Sequence, residues 1–411
     1  MTGQEMYDFA SLLWPLNRSL TGEGTRETLA QVQDRLRMRV SWWESGTKCF
    51  DWTVPDEWNV RQAYIEGPDG ERIADFGENN LHLVGYSEPI DTVMSLEELQ
   101  PHLHSLSGMP DAIPYVTSYY KRTWGFCLTE NQRKALQPGQ YRVVIGADLK
   151  PGKMHYGELM LPGKTTQEVL LSTYVCHPSM ANDNLSGIVV TTALARWLME
   201  QPRRYTYRIL FVPETIGSIA YLSMHRDEML QKTVAGFVVA CCGDDIRYTV
   251  VSSPGGDTLA DRVAKQVYRR TRTIIVPWIA VRGSDERQYC SPRVVLPVVV
   301  SMRSGWTGYP EYHTSKDDLT VISPAGLQGG FDSLRRCLET LEDNKICRNV
   351  HICEPFMERR GIYERRLMDI IACCDGRRDT LAIAEMLDRP CGEIVAATRR
   401  LVAHGILEAV A

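Results

Sequence analysis

No stretch of this 411-residue chain approaches the roughly 20 consecutive apolar residues that a membrane-spanning helix needs, so no span is expected. The opening segment, MTGQEMYDFASLLWPLNRSLTGEG, lacks a basic stretch followed by an apolar run, which argues against an export signal. A basic excess is missing too. The 46 lysines and arginines face 51 aspartates and glutamates, a net charge of −5, so nucleic acid is not an expected partner. No internal repeat and no low-complexity tract interrupts the chain. Cysteine is not scarce, at twelve, but the adjacent pairs Cys241–Cys242 and Cys373–Cys374 suit no disulfide framework. Reduced thiols and a cytoplasmic location are the expectation.

What is present is a pattern that changes along the chain. Residues 1–40 read as two helices, the first marked by Phe9, Leu12, Leu13 and Leu16, the second (RETLAQVQDRLRM) with Thr25 placed to cap it. Residues 45–150 alternate short strand-like runs with turns, including the hairpin signal GPDGER, around one helical stretch, SLEELQPHLHSL. From 155 to 345, apolar runs such as EVLLSTYV, YRILFVP, AGFVVACC and VVLPVVVSM alternate with amphipathic helical segments. That alternation favours a mainly parallel sheet covered by helices on both faces. Residues 360–411 read as three short helices, and LVAHGILE looks like a last helix running into the wing of a winged-helix module. Nine arginines balance nine acids between 358 and 408, which favours a packing or dimerisation module over a DNA-binding one.

In open α/β sheets, sites form outside the carboxyl ends of the strands, and several polar groups fall there. His177 and Asp183 come after VLLSTYV in a loop that opens a helix; imidazole plus carboxylate is a zinc-type ligand set, although Asp183 alone also suits a helix cap. Glu214 ends the strand RILFVP before a Gly–Ser turn, placed to ligate a metal, to act as general base, or merely to sit favourably at a helix start. His313 lies among aromatics and acids in GYPEYHTSKDD. Asp285, in VRGSDERQ, is a candidate ligand, orienting group or amine contact. For substrate, Asp285, Glu286 and Glu311 suit a free amine, whereas Arg282, Arg287 and Arg303 suit a carboxylate. Tyr312 belongs to the same loop as His313. Tyr119, Tyr120 and Trp124 are candidates for an aromatic pocket wall or for the core of the middle module. Cys176 and Cys290 flank these segments and read as buried bystanders more readily than as nucleophiles.

The combination of His177, Asp183–Asn184–Leu185–Ser186–Gly187, Glu214 before Gly217–Ser218, and Tyr312–His313–Thr314 resembles the zinc aminopeptidase family that includes bacterial leucyl aminopeptidases and glutamate carboxypeptidases. The stretches NRSLTGEG, FDWTVPDEWNVRQAYI, PYVTSYYKRTWGFCL, CHPSMANDNLSG, PETIGSIAYL, GSDERQYCSP and EYHTSKDD are similar to a bacterial subgroup of aminopeptidase-like proteins. The resemblance implies a discontinuous α/β zinc-exopeptidase domain over 1–45 and 151–350, its mixed sheet sandwiched by helices. It also implies an inserted β-rich domain over 46–150 and a winged helix over 355–411. It implies metal ligation by His177, Asp183, Glu214 and His313, and catalysis by Glu214 and Asp285. Substrate contacts would come from Glu286, Arg287, Glu311, Tyr312, Trp124 and Tyr120.

The sequence also departs from the wider family. Ser179 stands where an orienting Asp is usual, and Pro213 stands where a first Glu of a pair is usual. Ala240 or Cys241 falls where an Asp would complete a second metal site. One zinc ion is therefore expected, a second being weaker. The function implied is hydrolysis of an amide or peptide bond in a small peptide or aminoacyl conjugate, of aminopeptidase type and within a biosynthetic pathway. The alternatives are N-deacylation of an amino sugar and an inactive ligand-binding or regulatory protein. A homo-oligomer is a further expectation.

Overall fold

Alternate residues along the central strands face opposite layers, and both layers are apolar. In the computed structural model, which describes residues 1–306 and 308–410, Val169 and Leu171 belong to one hydrophobic cluster while Leu170 and Tyr174 belong to another. The same split separates Ile209 and Phe211 from Leu210 and Val212, and Val299 from Val298 and Val300. A strand with period-two side chains reads as an unbroken apolar run when both faces are covered, as these are.

Eight strands form the main sheet, in the order Arg39–Glu44, Lys153–Leu161, Thr206–Val212, Glu168–Tyr174, Thr233–Val239, Val298–Met302, Tyr248–Val251 and Thr273–Val276. The sheet is mixed rather than mainly parallel. Three consecutive pairings in its middle are parallel and so is that of Tyr248–Val251 with the edge strand Thr273–Val276, but Lys153–Leu161 runs antiparallel to both neighbours, and Tyr248–Val251 runs antiparallel to Val298–Met302. Strand direction depends on the connections between strands, a distinction that periodicity within one strand does not carry. Helices Gly3–Leu13, Glu23–Leu36, Gly187–Met199, Leu259–Tyr268 and Pro324–Asp343 contribute apolar residues to one cluster. Ile216–Lys232, Glu286–Tyr289 and the middle module supply the other.

That module holds a four-stranded antiparallel sheet, ordered Arg72–Asp75, Glu57–Glu66, Gln140–Lys150, Ile90–Ser95. Its hairpin closes at Gly67–Gly70, where Gly70 takes a φ of 82° that a Cβ would oppose. The stretch SLEELQPHLHSL is helical only over Leu96–Leu99, then tightens into a 3₁₀ turn at Gln100–His102, because Pro101 cannot donate the next helical bond. Thr25 does not cap the second helix, which starts at Glu23; its hydroxyl instead bonds the Ser19 carbonyl, closing the NRSLTGEG turn. The C-terminal unit packs helices Arg365–Cys373, Thr380–Met386 and Cys391–Ala403 with a three-stranded sheet whose central strand is Ile346–Asn349, ahead of residue 355. No helix among the described residues is long and apolar enough to cross a membrane.

Candidate metal centre

The fully buried strand Glu168–Tyr174 ends in Val175–Cys176–His177, and Arg18 fixes the backbone of the His177–Pro178 turn beyond it. Arg18 is 2% exposed and donates from Nε to the His177 carbonyl (2.8 Å), from Nη2 to the Pro178 carbonyl (2.6 Å) and from Nη1 to the Leu13 carbonyl (2.5 Å). Burial pushes the Arg18 guanidinium down to about 9, still charged at neutral pH. Each polar side chain of Asp183–Gly187 is then committed. Asn184 donates to the Thr173 hydroxyl and the Tyr174 carbonyl and accepts the Cys241 N–H. Ser186 accepts the Cys242 N–H. A Cβ on Gly187 would sit 2.6 Å from the Val239 carbonyl oxygen, so only glycine lets this helix start approach the neighbouring strand.

Asp183 is completely buried and caps nothing. Its Oδ1 accepts the Tyr174 hydroxyl, and its Oδ2 has no hydrogen-bond partner. The Asn182 and Asp183 backbone N–H groups both donate to Asp317, at 2.7 and 3.0 Å. Asp317 is a member of the site that residue type and spacing did not single out, although it lies only four residues beyond His313.

Glu214 comes after Val212–Pro213 at the end of Thr206–Val212, and the turn behind it is strained, Thr215 holding φ 65° and ψ −74°. Asp285 pins that turn: its Oδ1 accepts the Thr215 N–H (2.7 Å) and the Ser218 hydroxyl (2.8 Å), while Arg287 donates to the Thr215 hydroxyl (2.7 Å). Asp285 Oδ2 is buried without a partner. His313 also has a positive φ, 56°, and its carbonyl accepts the N–H of Tyr115 from the inserted module (2.9 Å). Non-glycine residues in this region cost energy and gather where the surroundings over-determine them; here they flank the site.

These elements bring four donor atoms together. Asp183 Oδ2 lies 3.0 Å from His313 Nε2 and 3.7 Å from His177 Nε2, and Glu214 Oε2 lies 3.9 Å from His177 Nε2. The His313 contact is close but misaligned, so Nε2 too lacks a hydrogen-bond partner. Donors about 2.0–2.1 Å from a tetrahedral zinc stand roughly 3.4 Å apart, the spacing seen. Among the described residues, His177, Asp183 and His313 form one group able to share an ion, and Cys176, His177 and Glu214 form another joined to it through His177. Two orphaned donor atoms facing each other, with two imidazoles and a carboxylate, fit zinc.

The electrostatics agree. Burial pushes His177 down to about 4, against the pull of Asp183, leaving its imidazole neutral with a free lone pair. Burial would raise Asp183, but His177, His313 and the Tyr174 hydroxyl outweigh it and hold the carboxyl down to about 2. Burial raises Glu214 well above the carboxylate range, helped by the Asp285 and Asp183 charges. Burial likewise lifts Asp285 to about 6, Glu286 to about 7 and Asp317 to about 7. Carboxylates gathered in low dielectric are costly unless a cation joins them.

The expected substrate residues divide. Tyr312 stacks on His313 at 3.9 Å, and Arg287 and Asp285 adjoin Glu214. Glu286 is turned onto the Ser284 N–H. Glu311 lies in the His313 loop, its carbonyl accepting from Thr314. Trp124 stacks on His102, and Tyr120 meets Trp52, both inside the inserted module. The aromatic that reaches the site is Tyr115, 5.3 Å from the His177 ring and 5.1 Å from the His313 ring, with its hydroxyl 3.0 Å from that of Tyr119. Arg303 is bonded to the Asp244 carbonyl, and Arg282 lies over Trp278. Cys176 accepts the Glu214 N–H, and burial raises its thiol well above the usual range; Cys290 points at carbonyls of its own loop.

The family described as "Domain of unknown function (DUF4910)" matches residues 7–344, and a winged helix-turn-helix family matches 345–409. A Clostridium acetobutylicum protein, provisionally named a polysaccharide biosynthesis protein with an aminopeptidase-like domain, is 42% identical over 88% of this chain and 83% of its own. A crystal structure from the same organism, provisionally named a peptidase, superposes with a TM-score of 0.96 at 38% identity, over 99% of this chain and 96% of that one. The zinc aminopeptidase BSAP of Bacillus subtilis superposes with a TM-score of 0.60 at 14% identity, over 83% and 95% of the two chains. The mixed sheet is thus of the aminopeptidase fold, with a winged helix after it.

Proposed function

We propose that this chain, which belongs to the DUF4910 family, is a zinc-dependent hydrolase of an amide or peptide bond in a small peptide or aminoacyl conjugate, of aminopeptidase type. The observation that carries this reading is the meeting of His177 Nε2, His313 Nε2 and the partnerless Asp183 Oδ2 beside Glu214. A zinc ion held there supplies Lewis acidity toward a carbonyl oxygen and makes water more acidic.

The chain's own residues do the rest. His177 presents a neutral imidazole, His313 a second imidazole nitrogen, and Asp183 presents charge. Glu214, whose proton affinity burial raises, takes a proton from the attacking water and returns it to the leaving amine. Asp285 and Arg287 hold the strained Thr215 turn that aims Glu214. Tyr115 packs beside both imidazoles and Tyr312 stacks on His313.

Terminus preference comes from charge. Asp285 keeps a buried oxygen unpartnered beside Glu214, whereas Arg303 and Arg282 are engaged elsewhere and Arg287 is held on the Thr215 hydroxyl, so the site suits a free amino group better than a free carboxylate. The Clostridium relative's name couples an aminopeptidase-like domain with polysaccharide biosynthesis, which supports a specialised biosynthetic amide over general peptides.

The test is metal content with activity for the wild-type chain, His177→Ala and Asp183→Ala, screened on aminoacyl amides and on N-acetylated amino sugars. Zinc and aminoacyl-amide turnover in the wild type, both lost in folded variants, are expected. Turnover confined to the sugars moves the reading to a deacylase. A purified chain that takes up no zinc refutes it.

A further inference from the structure

The two oxygens of Asp183 are treated differently. Oδ2 faces the imidazoles without a hydrogen-bond partner, whereas Oδ1 accepts the Tyr174 hydroxyl and lies 3.9 Å from Cys241 Sγ. Hydrolytic centres use one ion or a pair roughly 3.5–4 Å apart, and a carboxylate that bridges a pair gives one oxygen to each. We propose that this centre is built for a single cation: the Tyr174 hydroxyl occupies the place on Asp183 Oδ1 from which a second ion would be held, and Cys241 stands beside it where a second ion would need a carboxylate.

Tyr174 has little freedom to leave. It is 1% exposed, at the end of the central buried strand, and its ring lies 5.0 Å from that of His177. Cys241 is fixed as well: it is fully buried, holds a φ of 46°, and gives its N–H to Asn184. The remaining acid on this side, Asp317, has one oxygen on the Asn182 N–H and the other on the Asp183 N–H and the Tyr309 hydroxyl. Every carboxylate oxygen there already accepts a hydrogen bond. Both donor groups among the described residues contain His177, and neither contains Cys241 or Asp317.

This inference rests on the reading that His177, Asp183 and His313 hold zinc, and the experiment separates the two. The full-length wild-type chain and the double variant Tyr174→Phe with Cys241→Asp are stripped of metal and titrated with Co²⁺ by calorimetry and visible absorption, with circular dichroism to confirm folding. One tight equivalent in the wild type and two in the folded variant are expected. Two tight equivalents in the wild type overturn the single-cation proposal but leave the zinc site standing. One equivalent in the folded variant overturns the role given to Tyr174 and Cys241. None in the wild type overturns the metal reading itself. Should the double variant not fold, anomalous scattering from zinc-soaked wild-type crystals decides: one peak supports the proposal, and two refute it.

Discussion

At the scale of single residues, Glu214 and the buried acids behind it make the sharpest predictions. Glu214→Gln keeps shape and removes the proton acceptor, so kcat is expected to fall by about 10²–10⁴-fold, the usual worth of a positioned acid–base group. Zinc retained at wild-type stoichiometry in that variant marks Glu214 as the base, and zinc lost marks it as a ligand. The metal-free chain also has a pH signature. Glu286 and Asp317 titrate near 7 when folded and near the ordinary carboxylate range when unfolded, so the folded state binds more protons between those limits. Stability from these two groups is full below about pH 4 and is lost as pH rises through about 7. His177, held down to about 4, acts in the opposite sense only up to its ordinary value of about 6.5. The melting temperature of the metal-free protein is therefore expected to fall from about pH 6.5 to pH 8, and Asp317→Asn is expected to flatten the fall in calorimetric scans. The candidate ligands were legible from residue type, but His177, Asp183, Glu214 and His313 each had a bland alternative. The support for the ligand reading comes from the 3.0–3.9 Å contacts among these four residues.

At the scale of elements, the short motifs are stitches between strand ends. Asn184 and Ser186 bond the end of Thr233–Val239, and Gly217 is needed because a Cβ there would meet Pro213 at 2.7 Å. NRSLTGEG has the same character: Arg18 ties the first helix to the His177 loop, and Thr21 bonds Tyr86 of the inserted module at 2.7 Å. Arg18→Met strands the buried His177 carbonyl and removes one of two donors from each of the Leu13 and Pro178 carbonyls. A loss of about 2–4 kcal/mol in denaturant unfolding is expected, since an unsatisfied buried acceptor costs about 1–3 kcal/mol. Zinc affinity is expected to weaken about 10–100-fold, as removal of a group orienting a ligand typically does, read by competition with a chelating dye. The apolar period exposed the strands and helices. It did not expose Thr25's bond to Ser19, because that depends on a partner outside the local pattern.

At the scale of the whole molecule, the winged helix packs on a helix of the main sheet's layer. Its Ile370, Ile394 and Leu401 share a hydrophobic cluster with Leu334, Leu338 and Leu341 of helix Pro324–Asp343. Its charges are largely paired within the chain: Arg399 pairs with Asp343, Arg400 with Glu364 and Arg389 with Glu393, while Arg262 of helix Leu259–Tyr268 reaches Asp379 and Glu385. No retardation of duplex DNA in mobility-shift assays at physiological salt is expected, because few cations remain to displace counterions. The amino-acid order alone determined the sheet's apolar strands, the helical layers, the near-neutral charge and the cast of ligand types, since periodicity and side-chain chemistry are local properties. Only the tertiary structure decided that two strand ends, the His313 loop and the inserted module's Tyr115 meet around one point. It alone showed that Asp183 offers one oxygen and not two, and that Trp124 and Tyr120 lie elsewhere. Those facts depend on which buried polar atoms find partners across the sheet, and that partnering is set by packing between segments far apart in sequence.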